Sequence, residues 1–443
     1  MSATSGPAPR DASAAPGRPN VGYPSGHLGH LTADEEAALQ AFKASLAGKG
    51  YYRPGPPRSH EDGTLLRFLR ARRWVVQDAF KQFKDTEDWR ATNGLGALYD
   101  TLDVAAYEEC RGLYPQWTGR ADKRGIPIYL FEIRNLDSKT IQAYEKSTEA
   151  YFGAATSKPA EATTMTTPTP TPPKLLRLFA LYENLTRFVH PLFTQLPDRP
   201  HARTTPITLS TNIVDVSGVS LRQFWNLKGH MQAASQLATA HYPETLDCIF
   251  VIGAPAFFTT VWGWVKHWFD PVTVSKIFIL APAQVRPTLE TFMHPADIPR
   301  QYGGSLDFVW GGPANLGPAL RDRIAWEPGH AAFPKGPLYW RELDGGTRLE
   351  CVAVGSVDKV RRMERVCTIP VIFPAREEQQ QQQQQQQRQQ VTEAAVGTVP
   401  EATANAVAEV DNVQPVQKLS LTDKDVLETK SVAEPTAMAP VRA

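Results

Sequence analysis

Residues 257–269, FFTTVWGWVKHWF, hold three tryptophans and three phenylalanines, and a lone lysine, Lys276, follows directly before the apolar run IFIL. Polar candidates elsewhere are few. Arg67, Arg70, Arg72 and Arg73 crowd the segment TLLRFLRARRW, and Glu244 sits in HYPETL. By residue type alone, Lys276 is a solvated lysine at a strand start, Glu244 a carboxylate at a helix end, and the arginines an exposed helix face. No catalytic spacing is present: no GxSxG, no HExxH, no Walker A lysine loop and no GxGxxG after a strand. Cys110, Cys248, Cys351 and Cys367 are scattered without a CxxC. That fits a reducing compartment and argues against a disulfide scaffold or a zinc site. The sequon Asn184-Leu185-Thr186 falls in a predicted helix of a chain read as intracellular, and is set aside.

The aromatic stretch carries information of its own. On a helix, Thr259, Gly263, Lys266 and Asp270 form one narrow polar stripe, and the remaining surface is large and apolar. A helix buried in the core of a large domain has this pattern. Tryptophan at this density also suits a place with one dry and one wet side, as at membrane interfaces and gates. The second reading has the helix facing lipid on one side and protein on the other.

The elements that must position these residues follow from the rest of the chain. Its 443 residues, 42% of them hydrophobic, suffice for one large or two ordinary domains. A net charge of +1 with 21% charged residues gives no nucleic-acid footprint. No apolar signal region opens the chain and no run of about 18 apolar residues occurs, so neither a secretory signal nor a membrane span is expected. Residues 1–31 and 376–443, the latter opening on a glutamine run, read as disordered. Residues 32–100 read as a small helical unit, opened by a capping box at Thr32 and Glu35. From about residue 105 to 312, strands (125–133, 209–218, 248–255, 276–280) alternate with helices (174–193, 221–243, 257–269). Their continuous apolar runs predict an α/β domain with a covered sheet. The Thr-Pro segment 156–174 reads as a looped-out insertion. A β extension spans 313–375, with a hairpin at Asp344-Gly345-Gly346.

In this order LLRFLRARRW, GIPIY, IVDVSGVS, HYPETL, PVTVSKIFIL and IPRQYGG closely resemble the CRAL-TRIO lipid-exchange family, nearest its phosphatidylinositol transfer branch. The resemblance covers roughly residues 60 to 310. It implies a helical amino-terminal unit on a mixed, mainly parallel sheet, and a hydrophobic pocket for one lipid under a mobile gate helix. The gate falls on Phe258, Val261, Trp262, Trp264, Val265, Trp268 and Phe269. The same resemblance implies an inositol-phosphate headgroup site of Arg72, Arg73, Glu244, Thr273 and Lys276. Lysine and arginine give charge-assisted bonds to phosphate, and a carboxylate accepts from ring hydroxyls. A second-ligand pocket is implied at Trp117, Tyr129, Tyr182, Ser210 and Asn212.

Physics fits this assignment. A two-chain phospholipid has roughly 30 methylenes, each worth about 0.8 kcal/mol on leaving water, so extraction demands an equally dry cavity. Three positions depart from the family pattern. Arg72-Arg73 replaces an Arg-Lys pair, Ser210-Thr211-Asn212 replaces Ser-x-Thr, and Trp117-Thr118 replaces a tyrosine pair. The last two departures put phosphatidylcholine in question and leave a sterol, another phospholipid or another apolar molecule as second ligand. The expectation is a cytoplasmic, monomeric, non-enzymatic protein, peripheral on internal membranes, that carries phosphatidylinositol and a second lipid. No cofactor or metal is expected. A lipid-responsive scaffold with little transfer activity is the rival reading.

Overall fold

The computed structural model describes residues 23–55, 57–155, 171–268 and 271–373. Residues 1–22, most of the 156–174 insertion, Phe269 and the glutamine-rich tail lie outside these residues. Residues 23–31, expected to be disordered, are instead folded into a run of turns, with Gly26 N donating to His30 O at 3.3 Å and His27 N to Pro24 O at 3.0 Å. Unlike the residues before it, this stretch carries Tyr23, His27 and Leu28, which supply surface to bury. At Gly29, φ is 83° and a Cβ would meet the Thr204 backbone at 2.8 Å, so only glycine fits.

Three helices, α1 (Ala33–Gly48), α2 (Asp62–Ala71) and α3 (Val76–Thr92), form the amino-terminal unit. The capping box at Thr32 and Glu35 opens α1. The unit's core is aromatic, with Phe83 edge-on to Phe42 and Phe68 at 5.9 and 5.0 Å.

The central sheet runs β1 (Gln116–Ala121), β2 (Pro127–Glu132), β3 (Ser210–Asp215), β4 (Leu246–Ile252), β5 (Ile277–Ile279), in that spatial order. β1 pairs antiparallel with β2 and every other pairing is parallel. The protein is thus α/β, with a mixed and mainly parallel sheet. Strand alternation divides it cleanly: Cys248, Phe250 and Ile252 face one core, and Ile249 and Val251 face the other. The first core is closed by the helix Pro282–Phe292. The second receives the helices Pro173–Asn184 and Leu221–His241.

Two expected helices differ in detail. The helix expected over 174–193 is α-helical to Asn184, turns π over Leu185–Val189, and resumes as α over His190–Thr194. The aromatic helix is shorter than its composition predicts: Phe258–Val265 is α-helical, and Lys266–Trp268 tightens to 3-10 before the short helix Pro271–Ser275. Beyond the domain, β6 (Ala325–Trp326), β7 (Leu338–Leu343), β8 (Arg348–Val357) and β9 (Val360–Pro370) form an antiparallel sheet in the order β6-β9-β8-β7. Among the described residues no helix is long and apolar enough to cross a membrane.

Candidate functional site

Three parallel strands that start on one edge bring their leading residues together. Ser210 opens β3, Glu244 stands two residues before β4, and Lys276 immediately precedes β5. Sheet pairing fixes the last of these directly, because Ile249 N donates to Lys276 O at 3.0 Å. The turn from α2 to α3 arrives at the same edge. Arg73 and Trp74 adopt positive φ there (49° and 66°), which reverses the chain and brings Arg72 and Arg73 to the rim. A cavity of about 630 Å³ opens at this edge and extends beneath the helix Leu221–His241. That volume is ordinary for a small-molecule site.

The polar rim is built around an ion pair. Lys276 Nζ lies 3.0 Å from Glu244 Oε2 and donates to Leu246 O at 2.9 Å, with the two side chains only 12% and 14% exposed. Glu244 itself has φ of 54°, a left-handed conformation costing about 1–3 kcal/mol for a non-glycine residue. Arg72, Arg73 and Thr273 line the same rim. Among the described residues neither Arg72 nor Arg73 is in an ion pair, and both are exposed.

Sequence reasoning missed Arg70. It lines the cavity, and its Nη1 donates to Gly26 O at 3.1 Å, while Nε and Nη2 have no hydrogen-bond partner among the described residues. Burial pulls its pKa down to about 10, with the Glu244 charge acting in the opposite direction. The signal available in advance was only its place in an arginine-rich helix turn, shared with three neighbours.

Deeper in, the cavity is lined by aliphatic and aromatic groups, among them Leu178, Leu181, Met231 and Ala234. Tyr129, Tyr182, Ser210 and Asn212 all line it. Asn212 Nδ2 donates to Ser210 Oγ at 3.1 Å, and Ser210 Oγ donates to Thr245 O at the same distance. Burial pushes the Tyr182 phenol up to about 12, so it remains neutral. Beneath this wall Arg90 makes a bidentate pair with Glu183, and the Tyr242 hydroxyl donates to the same carboxylate at 2.6 Å. Burial alone would raise the Glu183 carboxyl, but the Arg90 hydrogen bonds and charge outweigh it and hold it below the usual range.

Trp117 is a correction: it does not line the cavity. Its indole sits edge-on to Phe188 and Phe193 at 5.9 and 5.7 Å, with Phe333 alongside. The reason lies beyond the domain, where the carboxy-terminal extension contributes Phe333 to an aromatic cluster that captures the ring. Thr118, on the other face of β1, is fully buried and donates to Ile128 O.

The described residues expected to form a gate are likewise not in the cavity lining; on that side it is lined by Pro271, Thr273 and Lys276. Val261 and Trp262 are buried instead. Phe258 stacks on Trp262 at 6.4 Å, and Val265 is half-buried against the same core. Trp268 stacks on Phe224 at 6.1 Å and Trp264 meets Trp225 at 5.3 Å, so the aromatic helix is pinned to the helix Leu221–His241, whose own inner face lines the cavity. Trp225 and Trp264 are 46% and 42% exposed, and Lys228 Nζ lies 4.8 Å over the Trp225 ring.

Comparison with known proteins agrees with this architecture. The CRAL/TRIO domain model matches residues 113–304, and the CRAL/TRIO N-terminal domain model matches residues 38–85. The SEC14 cytosolic factor of Eremothecium gossypii is 28% identical over 293 residues, covering 66% of this chain and 83% of that one. A protein of the same name in Schizosaccharomyces pombe is 28% identical over 288 residues, 65% of this chain and 87% of its own. The phosphatidylinositol/phosphatidylcholine transfer protein SFH9 of Arabidopsis thaliana is 27% identical over 305 residues, 69% of this chain and 44% of its own. With its helical amino-terminal unit, its mainly parallel sheet and its covered apolar cavity, this chain belongs to the CRAL-TRIO family.

Proposed function

We propose that this protein extracts phosphatidylinositol from a membrane, holds it in the cavity, and exchanges it for a second lipid. The observation that carries the reading is the convergence of Lys276, Glu244, Arg72 and Arg73 at the rim of an apolar cavity. An inositol phosphate needs both signs there: cations for the phosphate oxygens and a carboxylate for the ring hydroxyls. Arg70 adds a further positive charge at the same end. The acyl chains then run inward along Leu178, Leu181, Met231 and Ala234.

The helix Leu221–His241 and the aromatic helix pinned to it act as one cover. Opening the cover at a bilayer exposes surface that is itself compatible with lipid, because Trp225 and Trp264 already face outward with Lys228 beside them. The relatives' names join phosphatidylinositol with phosphatidylcholine. In this chain Asn212 and the sequestered Trp117 leave the second site without two of the groups that the family pattern provides, so phosphatidylcholine is the poorer substrate. Transfer of labelled lipids between vesicles tests the reading. Phosphatidylinositol is expected to move, and faster than phosphatidylcholine. No protein-dependent movement of phosphatidylinositol would favour the scaffold reading, and equal rates would remove the selectivity.

A further inference from the structure

Thr167, Thr169, Thr171 and Thr205 each stand directly before a proline. Of these, Thr171 alone also has a basic residue at the third position beyond it, in Thr171-Pro172-Pro173-Lys174. That position holds Pro170, Pro172 and Thr208 for the others, and Thr205 is fully buried. The stretch from Thr171 to Lys174 lies at the surface: Pro172 and Pro173 are exposed, and Thr171 and Lys174 are half-buried. Pro172 is extended, with φ −53° and ψ 134°, just before the helix Pro173–Asn184 begins.

The Thr171 hydroxyl is tied inward, where it accepts a hydrogen bond from Trp89 Nε1 at 2.8 Å. Trp89, on α3, lies edge-on to Phe179 at 4.9 Å and stacks on His241 at 4.1 Å, with the two rings 7° from parallel. His241 is the last residue of the helix Leu221–His241. α3 grips the same helix end elsewhere too. Gln82 Nε2 donates to Thr239 O and Ala240 O at 3.1 and 2.9 Å, and Thr86 Oγ1 lies 3.2 Å from His241 Nδ1. Contacts therefore run from Thr171 through Trp89 to the carboxy-terminal end of the helix that covers the cavity.

We propose that Thr171 is a phosphorylation site for a proline-directed protein kinase that reads a basic residue at the third position, and that its phosphate loosens the grip of α3 on the helix Leu221–His241. Proline after the acceptor brings no backbone N–H to be satisfied in the kinase, and a basic side chain further on pairs with an anionic pocket. The transfer forms a bond between Thr171 Oγ1 and the γ-phosphorus of ATP. It breaks the bond from that phosphorus to ADP and passes the hydroxyl proton to the kinase's base. The product carries a charge of about −1.5 to −2. Held half-buried against an indole, that charge lacks solvation, so it turns outward toward water and toward Lys174. Lys174 Nζ is 2.5 Å from Glu145 Oε1, and both side chains are about a third exposed, so the new anion competes for a cation held only at the surface. Trp89 Nε1 then loses its acceptor, and the ring stacked on His241 loses its anchor. The consequence for lipid exchange rests on the proposed function; the site itself does not.

The test incubates the full chain with ATP and a cyclin-dependent kinase, which reads both proline and the later basic residue, and maps the phosphate by peptide mass spectrometry. Thr171 is expected to be modified about tenfold faster than Thr167 or Thr169. Lys174→Ala should remove that advantage and Lys174→Arg should keep it. No phosphate on Thr171, equal rates at all three threonines, or an advantage that survives Lys174→Ala overturns the site. Amide hydrogen exchange then reads the second half of the proposal. In the phosphorylated protein, residues 236–241 should exchange about fivefold faster, the worth of one hydrogen bond. Thr171→Val, which removes the acceptor without adding charge, should move exchange the same way by about twofold. Unchanged exchange in fully modified protein overturns the loosening. Phosphatidylinositol transfer by the unmodified protein keeps the readings apart: its absence beside modified Thr171 and faster exchange would defeat the carrier reading alone.

Discussion

The two walls of the cavity are held in different ways. On one side, Glu183 of the helix Pro173–Asn184 is almost wholly buried and gripped by Arg90 and Tyr242, and β3 and β4 are packed on both faces. On the cover side, the helix Leu221–His241 buries only Phe224 and Leu227 of its 21 residues. The aromatic helix leaning on it leaves Trp264 half out in solvent beside Trp225. Local stability follows buried contacts, so opening is expected on the second wall while the first keeps its shape. A carrier needs this asymmetry: one wall to remember the ligand and another to let it pass.

The strongest way to break the comparison is to strike the fixed wall. Glu183→Gln removes the buried carboxylate from the partly exposed Arg90, leaving it Glu87 at 3.6 Å, and should cost about 3 kcal/mol, the low end for breaking a buried pair, read as a lowered denaturant midpoint. A loss under 1 kcal/mol would mean that the wall holding Glu183 is no better anchored than the cover. A smaller effect is expected at the rim between the walls. Lys276→Ala should weaken phosphatidylinositol binding by about 1.5–3 kcal/mol, roughly tenfold to a hundredfold, and the second ligand much less. Because Lys276 also donates to Leu246 O, equal losses for both ligands together with a large drop in Tm would show it to be a strut of the sheet. The smallest effect on stability belongs to the cover. Trp225→Glu combined with Trp264→Glu should change stability by only about 0.5 kcal/mol while slowing vesicle transfer. Unchanged transfer in the folded double variant would locate the membrane-facing surface elsewhere.

Much of the sheet was legible in the sequence, because a parallel strand buried on both faces is a continuous apolar run and β2, β4 and β5 each contain one. β1 was not, since WTGR carries no such run and holds its place at the sheet edge by pairing on one side only. The rim could be read because Glu244 and Lys276 sit at strand starts within recognisable motifs. The contact of Tyr114 with His230, two residues that line the cavity with hydroxyl and Nε2 2.6 Å apart, could not, because 116 residues separate them. Trp117 misled for a related reason: the ring that captures it, Phe333, lies outside the domain whose pattern was being read. Trp225 went unnoticed because it belongs to a patch only when two helices are side by side.

Ser210, Glu244 and Lys276 each stand at or just before the first residue of a strand, so the backbone ladder fixes where they are while the strand's apolar residues do the packing. On the proposed function, recognition and folding are thereby written in adjacent but separate letters. A lineage can exchange the leading residue of a strand without disturbing the core behind it, and can alter the core without moving the leading residue. If this edge holds the headgroup, as proposed, descendants of such a chain can change the headgroup they carry by a few substitutions along it, while the oily channel is inherited whole.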